Sequence, residues 1–206
     1  MEIRRTANAG VLIKTDGLSV LLDGVSKRVE FYMETPDTIK DELTEEFPDI
    51  VAFTHQHDDH YDSDYAKAYE KKTLRPVYGS EVFVLERNGV SLRAIPTRHI
   101  GKCDITHMSF ILKGSKTLLF MGDASPLEWK NVENLPAPDV IVAPFAYANT
   151  ASAWKMTKDF NAKHIVILHL PERENDVYGL WDAVEKTVKG DTQVHIPQMG
   201  ETIIID

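Results

Sequence analysis

The stretch that decides the fold is Ile50-Val51-Ala52-Phe53-Thr54-His55-Gln56-His57-Asp58-Asp59-His60. Its first four residues are apolar and the run is β-branched at its start, which predicts a buried strand over Ile50–Thr54. Because side chains alternate faces along a strand, His55 and His57 can point the same way at the strand's end. Asp59 and His60 follow in the turn that opens the next helix, and they can fold back toward the same point.

Packing alone does not explain this concentration of polar side chains. Three of the chain's eight histidines fall within residues 55–60, and buried carboxylates need partners. The alternative interpretation is a polar surface loop that happens to be rich in histidine. Imidazole and carboxylate together suit zinc, and also iron or manganese. The stretch therefore predicts a metal site.

One loop supplies too few ligands to close a site for two ions, so further ligands should come from the ends of other strands. Three later positions fit: His99 in a loop after the Leu92–Ile95 strand, Asp123 after Thr117–Met121 and His169 after Ile165–Leu168. His107 is the alternative to His99, but its place at the start of a strand favours a structural role. His164 and His195 also begin strands, and we expect them to be ordinary residues.

The rest of the chain consists of short apolar runs separated by turns, such as the hairpin signal Asp16-Gly17. Early hairpins followed by strand–helix alternation indicate a mixed α/β fold, with two packed sheets and helices outside. The predicted strands are Glu2–Arg5, Gly10–Lys14, Leu18–Asp23, Ile50–Thr54, Val77–Tyr78, Leu92–Ile95, Met108–Leu112, Thr117–Met121, Val140–Ala143, Ile165–Leu168, His195–Pro197 and Thr202–Ile205. The predicted helices are Thr38–Glu46, Asp62–Lys72, Ala151–Asn161 and Val177–Val188.

Residues Thr54 to His60 match the motif Thr-His-x-His-x-Asp-His without a substitution. This motif is the hallmark of the metallo-β-lactamase fold superfamily of metal-dependent hydrolases, which the chain resembles. The family also uses a later histidine, an aspartate in a Gly-Asp pair and a final histidine, and His99, Gly122-Asp123 and His169 match these in order. The resemblance runs from about residue 10 to about residue 170. It implies an α/β, four-layer αββα sandwich of two mixed β-sheets flanked by helices.

The resemblance also implies which residues hold metal. Two divalent ions are expected, zinc first, with manganese or iron as alternatives. The first ion would be held by His55, His57 and His99, the second by Asp59, His60 and His169, with Asp123 bridging both. A water or hydroxide between the ions would be the nucleophile, because a bound divalent ion lowers the pKa of its water from ~15.7 toward ~7. Asp59 would also handle a proton.

Other residues are expected to support the site. The family carries an upstream aspartate after a strand, and Asp23 fits it; it would accept a hydrogen bond from a ligand loop or from a ligating imidazole. A turn aspartate before Gly24 is the alternative. Asp58 is expected to be exposed or to lie behind the ligands. The candidates for the substrate pocket are Arg98, with a plain surface arginine as its alternative, and Tyr147 or Asn149 as an oxyanion donor.

The bulk composition limits the classes of function. With 206 residues, we expect a single domain over residues 1–206. The net charge is −9 without dense Lys/Arg clustering, which argues against a nucleic-acid partner. No apolar run approaches the ~20 residues of a membrane helix, and the N-terminus lacks the apolar core of a signal peptide. The single cysteine, Cys103, cannot form an internal disulfide, and a catalytic thiol there lacks a low-pKa environment. We expect a cytoplasmic location.

The expected function is hydrolysis of a small ester, lactone, thioester or phosphodiester substrate at a dinuclear metal centre. Some family members carry a cysteine at the second metal site, as several antibiotic-degrading enzymes do, and this cluster has none. That favours the lactonase-like branch over a true β-lactamase. Two alternatives remain: an iron-binding redox member of the same fold, and a metal-binding protein without catalysis. The oligomeric state is not readable from the sequence.

Overall fold

Two β-sheets pack face to face, as the sequence predicts. The computed structural model describes residues 1–130, 132 and 135–206, and only the backbone at 102 and 103; the side chain of Cys103, where a catalytic thiol was argued against, therefore lies outside the described residues. The first sheet has the strand order β12-β1-β2-β3-β4. Its strands are β1 (Glu2–Arg5), β2 (Val11–Thr15), β3 (Leu18–Leu22), β4 (Ile50–Ala52) and β12 (Thr202–Ile204). All neighbours in this sheet are antiparallel except β3 and β4, which are parallel.

The second sheet has seven strands in the order β11-β10-β9-β8-β7-β6-β5. Its strands are β5 (Val84–Arg87), β6 (Val90–His99), β7 (Lys102–Lys113), β8 (Thr117–Phe120), β9 (Val140–Pro144), β10 (His164–Leu168) and β11 (Val194–His195). Strands β8 to β11 are parallel to one another, and β5 to β8 pair antiparallel. Strand β6 therefore runs in the same direction as β8, β9 and β10.

Three separate apolar cores define four layers. The first core lies between the sheets, where residues such as Val20 and Phe110 meet. The second packs the outer face of the seven-stranded sheet against helices, with Trp181 and Val184 in it. The third packs the outer face of the five-stranded sheet against helices. The helices are α1 (Asp37–Glu45), α2 (Ser63–Thr73), α3 (Phe145–Ala148), α4 (Ala151–Asp159) and α5 (Leu180–Val188). The predicted αββα sandwich is confirmed.

The sequence misplaced two strands. The predicted strand Val77–Tyr78 is only an isolated bridge between Tyr78 and Ala52. The strand that sequence reasoning missed is β5, a Val-Leu-Glu-Arg segment whose side chains alternate between exposed and half-buried at the sheet's edge. Such an edge strand buries little apolar surface, so its sequence signal is weak.

Strand β6 continues further than the sequence predicts. His99 was expected in a loop, yet the strand runs on through Thr97, paired with His107, to end at His99 itself. The register shifts between Arg98 and His99, and Gly101 turns the chain with a φ of 71°. Pairing with the long strand β7 keeps this end of β6 in the sheet. The sequence signal for a strand is weak here, because Pro96 and its polar neighbours interrupt the apolar pattern.

Helix α5 begins later than expected. Asp176 accepts hydrogen bonds from the backbone amides of Leu180 (2.9 Å) and Trp181 (2.9 Å), which fixes the start of the helix. Val177 and Tyr178, predicted to be helical, therefore lie in the preceding turn and are exposed. Among the residues that the structure describes, no helix is long and apolar enough to cross a membrane.

Candidate metal centre

The predicted ligands stand at the ends of strands from both sheets. The motif of residues 55–60 follows β4, His99 ends β6, Asp123 follows β8 and His169 follows β10. Within the second sheet these strands all run in one direction, so their carboxyl ends meet at one edge, where ligands bind in α/β sheets. The backbone turns sharply there: φ is 49° at Asp23, 55° at Gly122 and 65° at His169.

The first group of ligands consists of His55, His57 and His99. One nitrogen from each lies within 4.8 Å of the others. His55 Nε2 is 2.9 Å from His57 Nδ1, and the three ring centroids are 4.5 to 5.0 Å apart. The structure thus brings together the three side chains predicted for the first ion.

The second group consists of Asp59, His60 and His169, whose ligand atoms also lie within 4.8 Å of one another. His60 Nε2 is 3.0 Å from His169 Nε2, and Asp59 Oδ2 is 3.4 Å from the same nitrogen of His169. His60 and His169 are 109 positions apart in the chain. The three residues predicted for the second ion are therefore also neighbours.

Asp123 lies between the two groups. Its Oδ2 atom is 3.6 Å from His99 Nε2, 3.5 Å from His60 Nε2 and 3.4 Å from His169 Nε2. One carboxylate oxygen thus contacts the first group through His99 and the second through His60 and His169. Burial favours the neutral form, but the imidazoles of His169 and His60 outweigh it and hold the pKa of Asp123 well below its usual range. A charged carboxylate in this position could bind a cation held by either group.

Hydrogen bonds fix which nitrogen faces the centre in three of the imidazoles, those of His55, His60 and His99. Thr54 donates its hydroxyl proton to Asp23 Oδ2 (2.7 Å), so the hydroxyl must accept from His55 Nδ1 at 2.9 Å. His60 Nδ1 donates to Asp23 Oδ2 at 2.8 Å, and His99 Nδ1 donates to the carbonyl of Ile100 at 2.6 Å. All three rings then present the Nε2 lone pair to the centre, the tautomer that metal binding needs.

Asp23 is the residue that organises this network. Its carboxylate is fully buried and accepts from the amide of Thr54 (2.6 Å), from the hydroxyl of Thr54 and from His60. Burial raises the pKa of the Asp23 carboxyl, against the effect of His60. Its positive φ shows that it also makes a turn. Asp23 therefore has both properties that were proposed as alternatives: it accepts hydrogen bonds from the ligand loop and it turns the chain before Gly24.

The donor set fits divalent cations. His99 Nε2 is buried without a hydrogen-bond partner among the described atoms, as expected of a lone pair reserved for a metal. Burial lowers the pKa of His55 and leaves it neutral. Burial also opposes charge on His60 and His169, but Asp123 and the other carboxylates raise their pKa values to about 9 and about 10. A divalent ion can take the place of these protons.

Two further polar residues lie around the ligands: Asn8, which no sequence signal indicated, and His107, which was expected to have a structural role. Asn8 places its amide nitrogen 3.3 Å from His169 Nδ1 and leaves its buried oxygen without a described partner. A half-turn of this amide would let that oxygen accept from His169 Nδ1, freeing Nε2 for metal. His107 is buried behind His55 and His99, with ring centroids at 5.2 and 5.8 Å.

A chain of hydroxyls fixes the tautomer of His107. Ser109 donates to the carbonyl of Met121 (2.8 Å), so it accepts from Thr97 (3.0 Å). Thr97 in turn accepts from His107 Nδ1 (2.8 Å), which leaves His107 Nε2 with a lone pair and no described partner. His107 belongs to neither ligand group, whereas His99 lies in the first.

The three predicted pocket residues do not converge on the centre. Tyr147 is wholly buried, accepts a hydrogen bond from Trp129 (2.7 Å) and donates its only proton to the carbonyl of Ala124 (2.8 Å). It has no donor left for an oxyanion, which corrects that prediction. Arg98 is exposed and pairs with Glu128 at 3.6 Å. Asn149 is an exposed residue at the end of α3, where a short helix, not a pocket loop, follows β9.

A cavity of about 650 Å³ opens beside the first group. His55 and His57 form part of its wall, together with Tyr61, Tyr78 and residues of α2 such as Glu70. Helix α2 is held at this place by Asp62, which directly follows the motif loop and accepts from the backbone amides of residues 64 and 65. The helix cap therefore fixes both the loop and the cavity wall.

A family model described as a beta-lactamase superfamily domain matches residues 2–169. The chain belongs to the metallo-β-lactamase superfamily. No curated protein matches the sequence. Among solved structures, a possible metal-dependent hydrolase from Veillonella parvula DSM 2008 has a TM-score of 0.73 and 18% sequence identity, covering 100% of this chain and 99% of its own.

Two further structures show how varied the proteins with this superfamily's fold are. An isothiocyanate hydrolase from Delia radicum gut bacteria has a TM-score of 0.66 at 17% identity, covering 100% of this chain and 99% of its own. CmlA, a diiron β-hydroxylase from Streptomyces venezuelae, has a TM-score of 0.63 at 12% identity, covering 99% of this chain and 54% of its own. At such identities the likeness shows the fold alone.

Proposed function

We propose that this protein is a metal-dependent hydrolase that uses two divalent ions to cleave a small ester, lactone, thioester or phosphodiester. The observation that carries the proposal is the pair of three-residue ligand groups joined by Asp123 Oδ2, which lies within 3.6 Å of nitrogens from both. Membership of a superfamily that includes metal-dependent hydrolases supports it. Zinc suits imidazole and carboxylate ligands best, and manganese and iron also accept them.

The predicted ligands would hold two ions, with one residue shared between them. His55, His57 and His99 would hold one ion, Asp59, His60 and His169 the other, and Asp123 both. When bound, such ions supply an activated water at neutral pH and polarise the oxygen of the scissile bond. Asp23 and Thr54 keep the imidazoles of His55 and His60 in the binding tautomer.

Asp59 is positioned to accept a proton during hydrolysis. Its carboxylate belongs to the second group, and its side chain is 13% exposed, so solvent reaches it. Burial opposes its ionisation, but His169 and His60 keep its pKa below the ordinary value. The carboxylate is therefore ionised at neutral pH and able to take up a proton.

Metal content combined with a substrate panel tests the proposal. We expect two ions per chain in the purified protein by elemental analysis, and hydrolysis of at least one ester, lactone, thioester or phosphodiester. Asp59→Ala should lower kcat by more than the roughly 10–100-fold typical of losing an outer partner of a metal. Asp58→Ala is the matched control, because Asp58 is the exposed neighbour in the same loop.

Two results would overturn the proposal. One iron per chain with oxygen-dependent turnover would favour the redox alternative, which the fold shared with a diiron hydroxylase makes worth testing. Equal inactivity of wild type and Asp59→Ala across the panel would favour metal binding without catalysis. The cytoplasmic location, the single domain, the absence of a nucleic-acid partner and the lactonase-like branch stay predictions.

A further inference from the structure

A path of aromatic rings leads from the surface to the second ligand group. Tyr32 packs edge-on against His169, with ring centroids 4.7 Å apart. Phe31 contacts Tyr32 at 4.4 Å and Tyr178 at 5.3 Å. Tyr178 is 69% exposed, so the outer end of the path is open to solvent. The path consists of Phe31, Tyr32 and Tyr178, and it ends on a predicted metal ligand.

Hydrogen bonds hold the two inner rings in place. They lie between β3 and α1, in a tight turn closed by reciprocal backbone bonds between Val29 and Tyr32 (3.0 and 2.8 Å). The base of the same segment is tied by Ser26 and Thr35, which bond through two contacts of 3.0 and 3.2 Å. The segment is thus preformed, and a ligand would not have to order it.

Tyr178 reaches the path from a segment far away in the sequence. It stands in the turn that precedes α5, directly before Gly179 with its φ of 68°. Two segments separated by more than half the chain thus combine to present large apolar side chains at the rim of a polar site. Exposed apolar surface beside a site is typical of ligand binding.

The chemistry of the path indicates which kind of chemical group would bind against it. The path is built of apolar rings, which disfavour a charged group beside them because the charge would lose its hydration there. Aromatic rings prefer other flat rings in edge-on or offset contact. By contrast, the cavity beside the first group carries the charged Lys67 and Glu70 on its wall.

We propose that Phe31, Tyr32 and Tyr178 form a subsite that receives a neutral aromatic group of the substrate. This inference rests on the proposed function, because it names the substrate class of the same centre. An aryl ester, an aryl thioester or a lactone with an aromatic substituent would place its ring on the path and its scissile bond between the ligand groups.

A pair of metal-chelating probes tests the subsite without turnover. Benzohydroxamate and acetohydroxamate share one chelating head and differ in the phenyl ring. By titration calorimetry on the metal-loaded protein, we expect benzohydroxamate to bind roughly fivefold to tenfold more tightly than acetohydroxamate, as one added ring contact allows. Tyr178→Ala and Phe31→Leu should bring this ratio close to one. The first variant changes an exposed side chain, so we expect it to fold like the wild type.

The control variant is Tyr78→Leu, which removes a ring from the wall of the cavity beside the first group and should leave the ratio unchanged. A ratio that falls in Tyr78→Leu but not in Tyr178→Ala would overturn the subsite and assign the ring to the cavity. Equal binding of both probes by wild type would overturn the subsite alone. Failure of both probes to bind a protein that holds two ions would overturn the subsite, whereas failure of the protein to take up the ions would overturn the proposed function.

Discussion

Gly122 shows how closely the ligand groups are packed. Its φ is 55°, and a Cβ atom there would lie 2.6 Å from Thr54 Cγ2 and 2.9 Å from His107 Nε2. Side chains other than glycine meet both a strained backbone and a steric clash at this position. The glycine before Asp123 therefore allows the strand end to pass directly behind the ligands.

We predict that Gly122→Ala lowers the free energy of unfolding by about 2–4 kcal/mol, from a left-handed backbone plus overpacking. It should also weaken metal binding, because Asp123 must move. The control is Gly190→Ala, at φ 78° with nothing within 4 Å of the added methyl, which should cost only about 1–2 kcal/mol. Urea unfolding and metal titration measure both effects; equal losses in the two variants would contradict the packing argument.

Asp23 leads to a second prediction at this scale. In Asp23→Asn an amide NH₂ replaces the oxygen that accepts from Thr54 and His60. His60 can then no longer donate through Nδ1, and the tautomer with its proton on Nε2 becomes favoured. We expect affinity for the second ion to fall by about 10–100-fold, with the first less affected. Asp58→Asn, an exposed change nearby, is the control, and unchanged binding of both ions would contradict the role of Asp23.

At the scale of elements, Asp16 connects two hairpins from different sheets. It stands in the β2–β3 turn, and its Oδ2 accepts from the amide (2.9 Å) and hydroxyl (3.1 Å) of Ser115 in the β7–β8 turn, and from Thr15. The Ser115 amide is the main cause that lowers the pKa of Asp16 below its ordinary 3.8. A group with a lowered folded-state pKa stabilises the fold above its unfolded pKa, and the effect is lost as pH falls.

We therefore predict that Asp16→Asn lowers the melting temperature near pH 6 and that the difference from wild type disappears as pH approaches about 2. Asparagine tolerates the positive φ of 49° at this position, so the variant isolates the charge. Asp16→Ala should be less stable than Asp16→Asn at both pH values, since it removes all the hydrogen bonds. Calorimetry at the two pH values checks this; a pH-independent difference for Asp16→Asn would contradict it.

At the scale of the whole molecule, the ligand groups link stability to protons and metal. Without metal, carboxylates raise the pKa of His60 to about 9 and that of His169 to about 10, from an ordinary 6.5. Groups with raised pKa values contribute stability that is fully present below the unfolded pKa. That stability is lost as pH rises through the folded value. Bound ions would replace these protons and stabilise the folded state.

We predict that the melting temperature of the chelator-treated protein falls between about pH 7 and about pH 10, whereas that of the metal-loaded protein stays unchanged. His169→Gln should weaken this pH dependence in the metal-free protein, because one of the two titrating groups is gone. Scanning fluorimetry with and without chelator is the measurement. A metal-free protein whose melting temperature is flat or rises over this range would contradict the coupling.

Much of the fold and of the site could be predicted because their signals are local. The strand ending in the motif, the Asp16-Gly17 turn and the residue types of the ligands can all be identified from a few neighbouring positions. The end of β6 could not, because its hydrogen bonds come from β7. Tyr147 illustrates the same limit: only its contacts with Trp129 and Ala124 show that its hydroxyl is already occupied.

The sequence by itself determined which side chains can bind metal and that they follow strands, because residue identity and the alternation of a strand are properties of adjacent positions. Only the tertiary structure decided that they meet. Asp23 and His60 are 37 positions apart, and His60 and His169 are 109 apart. Contacts between the two sheets and their loops determine which nitrogens of His55, His60 and His99 face the centre. They also determine the position of Asp123 between the groups and the placement of the Tyr32 and Tyr178 rings. Such contacts exist only once the chain has packed.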